Sequence, residues 1–367
     1  MRLIATSEAN LGSTLGKAIY NDNGQILLNK GAALTAGIIA RLIGFGIDYI
    51  YIEDPDTADI ISANPVSEEL RVAAYNTIQT TFQQLEGNFN VSPAIVLENS
   101  AKEFKLLIRS LIKELTGSKE LLNLLSDIII HDNYIFTHSL NVTLYTLAIG
   151  LEMKLSERDL EVLGVGAMLH DVGKMNIPHE VLMKPGRLTE DEFKVIQEHA
   201  EKGFEILRNV EGLPLLAAHC AFQHHERLDG TGYPRGLKGQ EIHLFGRILG
   251  VADVFDAVTS NRVYRAAMLP HEGLEVLYAG YGTKYDSHVI DAFKRAVVIY
   301  PAGLSVELNN GCSGVVSSQH KGSNGRPVVR ILQENGRRVQ PYELDLRQHA
   351  SILITGCDAT AMGKNEQ

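Results

Sequence analysis

The chain has 367 residues, of which 45% are hydrophobic and 21% charged, and its formal net charge is −10. This composition is typical of a globular protein of about two to three domains, and it excludes a disordered chain. Lysine and arginine are scattered along an acidic chain, which argues against a nucleic-acid duplex as the main partner. No run of 18 apolar residues occurs and the first ten residues lack a signal-peptide core, so we expect no membrane insertion. Three widely spaced cysteines, Cys220, Cys312 and Cys357, fit a reducing compartment, and we expect a cytoplasmic protein.

Residues 1–64 have the pattern of a small α/β module. Strands are predicted at Lys17–Tyr20 and Ile26–Leu28, joined by a turn at 21–24 that contains Asn-Gly, and a third strand is predicted at Tyr49–Ile52. Between them, Thr35 is placed to cap a helix that runs from Ala36 to Leu42 and ends at Gly44. The module has no acidic cluster of the receiver type and no glycine-rich phosphate loop, so its role stays unassigned.

Residues 65–125 indicate a helical segment. One helix is predicted to open at Ser67, and the stretch from Asn88 to Pro93 breaks it. A second helix is predicted from Ala94 to Leu115. Packing on a neighbouring core is the favoured interpretation, and a coiled contact in a homodimer is the alternative.

Ligand-type side chains are concentrated in one stretch of about 115 residues. The apolar helical run Leu163–Leu169 ends directly at His170 and Asp171, and ionisable groups at the end of a buried helix are costly unless they are paired or bind a metal. Imidazole and carboxylate suit iron, manganese, zinc or nickel, and a shared aspartate can hold two ions close together. The pattern favours a metal-dependent phosphohydrolase over a set of buried core histidines. The further candidate ligands are His138, His199, His224, His225 and Asp253.

Longer motifs surround these residues. They are HDVGK at 170–174, NIP at 176–178, KPGRLT at 184–189, HHE at 224–226, DGTGYP at 229–234 and VADVFDAVTSNRVYR at 251–265. In these motifs the chain resembles the HD-GYP family of cyclic dinucleotide phosphodiesterases, a branch of the HD-domain metal-dependent phosphohydrolases. The resemblance runs from about Ser126 to Tyr300, close to half the chain. It implies a mainly helical catalytic domain, which we place at 126–302.

The resemblance also implies a binuclear metal centre. By it, His138, His170, Asp171 and Asp253 hold one ion, and Asp171 bridges to a second ion held by His199, His224 and His225. His199 lies in a polar stretch, so an exposed histidine without a ligand role is its alternative. Some family members carry a glutamate one helical turn before the first histidine, where this chain has Tyr134, and we therefore predict two ions rather than three. Iron or manganese is expected, with zinc and nickel as alternatives.

The implied reaction is hydrolysis of cyclic di-GMP to pGpG, GMP or both, in bacterial signalling. A hydroxide shared by the two ions would attack phosphorus in line with the leaving 3′ oxygen. Catalytic roles fall to Asp171 and Lys174, and Asp256 would orient a ligand histidine. Preference for cyclic GMP-AMP and a catalytically silent receptor are the alternatives, and the complete ligand set favours an enzyme. The expected substrate-binding residues are Lys174, Tyr233, Arg262 and Arg265.

Residues 303–356 change to a two-residue period. Strands are predicted at Ser305–Leu308, Gly314–Ser318, Val328–Leu332 and Ser351–Thr355, as in a small β-barrel or β-sandwich, and 357–367 are predicted to be a disordered tail. The predicted fold class is therefore mainly α, with a small N-terminal α/β module and a small C-terminal all-β appendage. Besides the cyclic dinucleotide, a homodimer and a protein partner at the GYP loop are expectations that the sequence leaves open.

Overall fold

The structure is a computed structural model. It describes residues 1–21, 26–45, 47, 49–61, 65–87, 92–117, 129–130, 134–184, 186–260, 268–320 and 325–358. The chain divides into two compact units. We call them the terminal unit, which comprises Met1–Asn64, Lys119–Asp132 and Val297–Gln367, and the central unit, which comprises Pro65–Ser118 and Asn133–Ala296.

Among the described residues, the terminal unit contains the strands and one α-helix. Its elements are β1 Arg2–Ala5, β2 Ile19–Asn21, β3 Ile26–Leu28, α1 Ala36–Gly44, β4 Tyr49–Ile52, β5 Ile129–Ile130, β6 Ser305–Leu308, β7 Cys312–Ser318, β8 Val328–Glu334, β9 Arg337–Asp345 and β10 Ile354–Asp358. They form a β1-β4 pair, a three-stranded β3-β2-β5 sheet and an antiparallel sheet of order β10-β6-β7-β8-β9. Thr35 caps α1 as predicted, because its side chain accepts a hydrogen bond from the Ile38 N–H at 3.3 Å.

Most strands of this unit were predicted, with some exceptions. The strands at Ile26–Leu28, Tyr49–Ile52 and Ser305–Leu308 are confirmed with their predicted bounds. The structure adds β1, β5 and β9. It places β10 a few residues after the predicted strand, so that Cys357 and Asp358 belong to β10. The predicted turn after Asn21 and the rest of the predicted tail lie outside the described residues.

The central unit is helical. Its helices are α2 Glu68–Gly87, α3 Pro93–Gly117, α4 Tyr134–Glu152, α5 Glu157–Met168, α6 His179–Leu182, α7 Glu190–Leu207, α8 Leu215–Gln223, α9 Leu244–Thr259, α10 Pro270–Tyr278 and α11 Ser287–Ala296. The two helices predicted within 65–125 are confirmed as α2 and α3, and most of the predicted break between them falls on 88–91, outside the described residues. The predicted fold class is thus confirmed. In the part of the chain that the structure describes, no helix is both long and apolar enough to cross a membrane.

Two aromatic clusters hold α4 at the centre of this unit. The Phe136 ring contacts Phe82 of α2 edge to face at 5.9 Å. Further along α4, Tyr145 meets Phe255 of α9 at 5.2 Å, and Phe255 meets Phe293 of α11 at 4.5 Å. Burial of such rings supplies much of the hydrophobic stabilisation of a core, and edge-to-face contact adds a smaller, geometry-dependent attraction. The clusters therefore fix the two helices, α4 and α9, that carry three of the predicted site residues.

A close backbone contact brings two further segments together. The chain leaves α5 through His170 and Asp171 into a short 3-10 helix, Val172–Asn176. A Cβ atom at Gly173 would lie 2.0 Å from the carbonyl oxygen of His199 and 2.6 Å from the amide nitrogen of Gly203. Only glycine allows this approach, so Gly173 lets the His170-Asp171 corner press directly on α7.

Candidate metal centre

Seven predicted ligands converge inside the central unit. His138 projects from α4, His199 from α7 and Asp253 from α9, whereas the remaining four follow helix ends. His170 and Asp171 come directly after α5, and His224 and His225 directly after α8, where the change of backbone direction turns two adjacent side chains to one place. Two groups have ligand atoms that all lie within 4.8 Å of one another. They are His138, His170 and Asp171, and His199, His224 and His225.

The carboxylate of Asp171 faces both groups. Its Oδ2 lies 3.5 Å from Nε2 of His138 and 3.4 Å from Nε2 of His170. Its Oδ1 lies 3.5 Å from Nε2 of His199 and 3.9 Å from Nε2 of His224. One oxygen thus belongs to each side, which is the arrangement required of a carboxylate that bridges two ions.

A second carboxylate also contacts both groups. Asp253 Oδ1 lies 3.1 Å from Nε2 of His138, and Asp253 Oδ2 lies 3.6 Å from Nδ1 of His225. The resemblance implied that Asp253 belongs with His138, His170 and Asp171, at one ion only. The added contact arises because His225 follows the end of α8, which packs against α9.

The outward ring nitrogens of four histidines are occupied. In each, Nδ1 lies within hydrogen-bond distance of an oxygen behind the ring: His138 with Asp256 Oδ2 at 2.7 Å, His170 with Ala167 O at 2.7 Å, His199 with Ile196 O at 2.6 Å and His224 with Ala221 O at 2.8 Å. A proton on Nδ1 leaves the lone pair of Nε2 directed inward. These contacts select the tautomer that a metal ligand requires and fix the orientation of each ring.

Two inward atoms indicate that a cation fits this centre. Among the described residues, Nε2 of His170 and Oδ1 of Asp171 are fully buried and have no hydrogen-bond partner. A buried polar atom without a partner costs about 1–3 kcal/mol. An ion coordinated by both atoms would remove this cost, so the donor set of nitrogens and carboxylate oxygens fits a divalent metal.

Burial keeps four of the imidazoles neutral. It lowers the pKa of His199 to about 4, and it lowers the pKa values of His170, His224 and His225 as well, with repulsion from neighbouring histidines adding to the effect. A neutral imidazole is the form that binds metal. These four rings are therefore ready to coordinate at neutral pH without losing a proton.

His138 and Asp171 differ because of their charged neighbours. Burial lowers the pKa of His138, but hydrogen bonds to Asp253 and Asp256 outweigh it and raise that pKa to about 9. Burial raises the pKa of Asp171, but the charges of Lys174 and the surrounding histidines hold it well below its usual range. The surrounding carboxylates therefore favour positive charge at His138, which is the kind of charge that a bound cation would supply.

Two of the predicted substrate-binding residues lie at the edge of the centre. Lys174 Nζ donates to Asp171 Oδ2 at 2.5 Å and keeps part of its side chain in contact with solvent. The Tyr233 ring lies 4.6 Å from that of His225 at an interplanar angle of 31°, and the Tyr233 N–H donates to the His225 carbonyl at 3.2 Å. The other two, Arg262 and Arg265, lie within 261–267, outside the described residues. The side chain of Tyr134 is also outside the described part of the structure.

Glu226 has a role that was not predicted from the sequence. The residue is 5% exposed, and its carboxylate accepts hydrogen bonds from the backbone N–H groups of Arg235 at 2.8 Å and Leu237 at 2.9 Å. A Cβ at Gly232 would lie 2.4 Å from the carbonyl oxygen of His225. Glu226 and Gly232 therefore hold the GYP loop, residues 229–237, against the His224-His225 pair. A carboxylate next to two candidate ligands was the only available signal.

This part of the chain is similar to known proteins. Residues 123–289 match the family model of the HD domain. This stretch is therefore similar to the HD domain. Three curated relatives are similar to the chain. One is a cyclic di-GMP phosphodiesterase of Pseudomonas aeruginosa (37% identity over 201 residues, 55% of this chain and 48% of the relative). The others are a cyclic di-GMP phosphodiesterase response regulator of Xanthomonas campestris (44% over 145 residues, 39% and 38%) and a 3′3′-cGAMP-specific phosphodiesterase of Vibrio cholerae (40% over 168 residues, 46% and 36%). The chain thus spans less than half the length of each of these relatives.

Proposed function

We propose that the chain is a metal-dependent cyclic dinucleotide phosphodiesterase that hydrolyses cyclic di-GMP to pGpG, GMP or both. The observation that carries the proposal is the position of Asp171, whose two oxygens face two separate groups of imidazoles. The substrate class is supported by the relatives, two of which are named for cyclic di-GMP.

In this proposal seven side chains hold two divalent ions, iron or manganese. Asp171 lies between the two sites, and Tyr134 offers no carboxylate for a third. Bound there, two ions would lower the pKa of a water molecule and neutralise the phosphoryl oxygens. The ligand residues are His138, His170, Asp171, His199, His224, His225 and Asp253.

The remaining roles belong to residues at the edge of the centre. The ammonium group of Lys174 lies 2.5 Å from the Asp171 carboxylate, at the edge of the centre. It is therefore placed to donate to a non-bridging phosphate oxygen and to stabilise the negative charge that develops on that oxygen. Burial raises the pKa of Tyr233, which keeps its phenol protonated and able to donate a hydrogen bond to the substrate. Arg262 and Arg265 are proposed to contact the phosphates or a base.

A second substrate is favoured by one specific observation. The Vibrio cholerae relative, 40% identical over 168 residues, is named for 3′3′-cGAMP. Cyclic GMP-AMP presents the same phosphodiester with one guanine replaced by adenine, so the same ligands would serve it. We therefore keep cyclic GMP-AMP as the alternative substrate.

The test combines metal analysis with product analysis. Protein purified without oxygen is expected to contain about two metal ions per chain and to convert cyclic di-GMP to pGpG or GMP. Asp171→Ala should abolish turnover, whereas Asp191→Ala, which alters a carboxylate with 94% of its side chain exposed, should not. If the protein bound metal but hydrolysed neither cyclic dinucleotide, the proposed phosphodiesterase activity would be refuted and a receptor for cyclic dinucleotides would be favoured.

A further inference from the structure

An exposed aromatic ring stands beside the metal centre. Phe193 lies in the first turn of α7 and is 47% exposed. Its ring meets Tyr233 edge to face at 6.2 Å, and the Tyr233 ring lies 4.6 Å from His225. A chain of aromatic contacts therefore leads from the surface to a proposed metal ligand.

The backbone that carries Phe193 is firmly held. Glu192, its neighbour, accepts a hydrogen bond from the Thr189 N–H at 2.7 Å, and the Thr189 hydroxyl accepts one from the Glu192 N–H at 3.3 Å, which completes a capping box. Lys184 donates to both oxygens of Glu192 at 2.7 Å. Lys184, Thr189 and Glu192 thus fix the start of α7, so that ordering Phe193 on binding would cost little entropy.

Phe193 and Tyr233 offer different surfaces. The rings of Tyr233 and His225 are tilted by only 31°, so one face of Tyr233 is covered by His225. Phe193 meets Tyr233 at an interplanar angle of 83°, so Tyr233 covers at most one face of Phe193, and the residue is 47% exposed. A phenylalanine that is half exposed contributes little hydrophobic stabilisation to the fold. Beside a phosphodiester site, an open aromatic face is suited to a nucleobase, because every base has a π-face that can stack.

We infer that Phe193 is a base-stacking residue of the substrate site and receives one purine of the cyclic dinucleotide while the phosphodiester lies at the metal centre. This inference rests on the proposed function. It adds a residue that determines affinity for the base, and it assigns a purpose to the KPGRLT segment, which the reaction at phosphorus does not itself require.

Steady-state kinetics test the inference. Phe193→Leu is expected to raise KM for cyclic di-GMP and for cyclic GMP-AMP about 5- to 100-fold, the range for loss of one base–aromatic stack, with a much smaller change in kcat. The loss in kcat/KM should be smaller for bis(p-nitrophenyl) phosphate, which carries no purine. Phe193→Tyr should restore the low KM. Tyr281→Leu is the matched control, because Tyr281 is an aromatic residue of the same unit and 41% exposed.

Fluorescence gives a reading that does not depend on turnover. The chain contains no tryptophan, so Phe193→Trp creates a single reporter. Rapid mixing with cyclic di-GMP should quench its emission as guanine stacks on the indole, and a Tyr281→Trp reporter should not respond. If the wild-type protein did not hydrolyse cyclic di-GMP or cyclic GMP-AMP, the proposed function would be refuted. The base-stacking role of Phe193 would then be decided by whether cyclic di-GMP quenches the Phe193→Trp reporter. Unchanged KM in an active Phe193→Leu enzyme, or the absence of quenching at Trp in place of Phe193, would overturn it.

Discussion

Asp171 and Asp256 are both buried carboxylates that contact His138, but they approach opposite nitrogens of its ring. Asp171 faces Nε2, which points into the metal centre, whereas Asp256 lies 2.7 Å from Nδ1. The other oxygen of Asp256 accepts hydrogen bonds from Asn141 at 2.9 Å and Ser260 at 2.8 Å. Asp256 is thus held as a hydrogen-bond acceptor, and it sets the tautomer in which His138 can bind a metal.

Replacing this outer carboxylate should weaken metal binding without removing a ligand. Asp256→Asn is expected to lower metal affinity about 10- to 100-fold, because the amide is a poorer acceptor for the Nδ1 proton of His138. Equilibrium titration against a competing chelator measures the change, and circular dichroism checks that the helices persist. Asp191→Asn, a change at an exposed acid, provides the control. Equal affinities for Asp256→Asn and wild type would contradict the assigned role.

At the scale of elements, the GYP loop and the His224-His225 corner form one packed structure. Glu226 accepts two backbone N–H donors of the loop, and Gly232 leaves no room for a side chain against the corner. The ring of Tyr233 then lies on His225. A movement of the loop would therefore also move His224 and His225, the ligands on one side of the centre.

An isosteric change at Glu226 tests this coupling. Glu226→Gln is expected to leave one of the two partly buried N–H groups without an acceptor, at a cost of up to about 3 kcal/mol. Hydrogen exchange should accelerate at the amides of Arg235 and Leu237, and kcat/KM should fall because Tyr233 moves with the loop. Glu205→Gln, on the exposed face of α7, supplies the comparison. If the loop amides exchanged at the wild-type rate in Glu226→Gln, the proposed clamp would be refuted.

The contact between the 3-10 helix and α7 gives a second prediction at this scale. Gly173→Ala would place a methyl group 2.0 Å from the His199 carbonyl oxygen, so the two segments must separate. Overpacking of this kind costs about 1–3 kcal/mol, and it should also displace His170 and Asp171 from His199. Thermal unfolding and metal content measure both effects. Gly117→Ala is the matched control, since nothing lies within 4 Å of a Cβ there; metal content equal to wild type in Gly173→Ala would count against the contact.

Sequence patterns predicted those strands and helices in which the order of apolar and polar residues agrees with their burial in the folded chain. β6 was predicted with its observed bounds because its apolar residues are buried in the sheet, whereas β9 is an edge strand with mostly exposed side chains, so its sequence lacks the alternation that marks a strand. His199 has polar neighbours, yet it is 1% exposed because α7 packs on the 3-10 helix through Gly173. Glu226 was not predicted, because its partners, the N–H groups of Arg235 and Leu237, come close to it only when the GYP loop folds back.

At the scale of the whole molecule, the first and last parts of the chain build one unit around long-range contacts. Arg2 donates from Nε and Nη2 to the hydroxyl of Ser305 at 3.1 Å. Arg330 of β8 donates to both carboxylate oxygens of Asp59 and to the Asp56 carbonyl. These contacts join residues more than 270 positions apart and lie wholly within the terminal unit. The seven proposed metal ligands all lie in the other unit.

This division predicts where metal stabilises the protein. A ligand that binds only the folded state at 100 times its Kd adds about 2.7 kcal/mol to the free energy of unfolding. Because the ligands come from α4, α7, α9 and the ends of α5 and α8, EDTA should speed hydrogen exchange in those helices. Exchange in β7 and β8, which contribute no ligand, should not change.

The matched control for this experiment is Asp171→Ala. Without the central carboxylate, the protein should bind metal poorly, and EDTA should have no further effect on exchange in α4 or α9. A response to EDTA of the same size in β7 and β8, or an undiminished response in Asp171→Ala, would contradict a centre built on Asp171. Protection confined to the central unit and dependent on Asp171 would instead tie the stability of that unit to the ions, because a buried cluster of imidazoles and carboxylates is costly to fold without them.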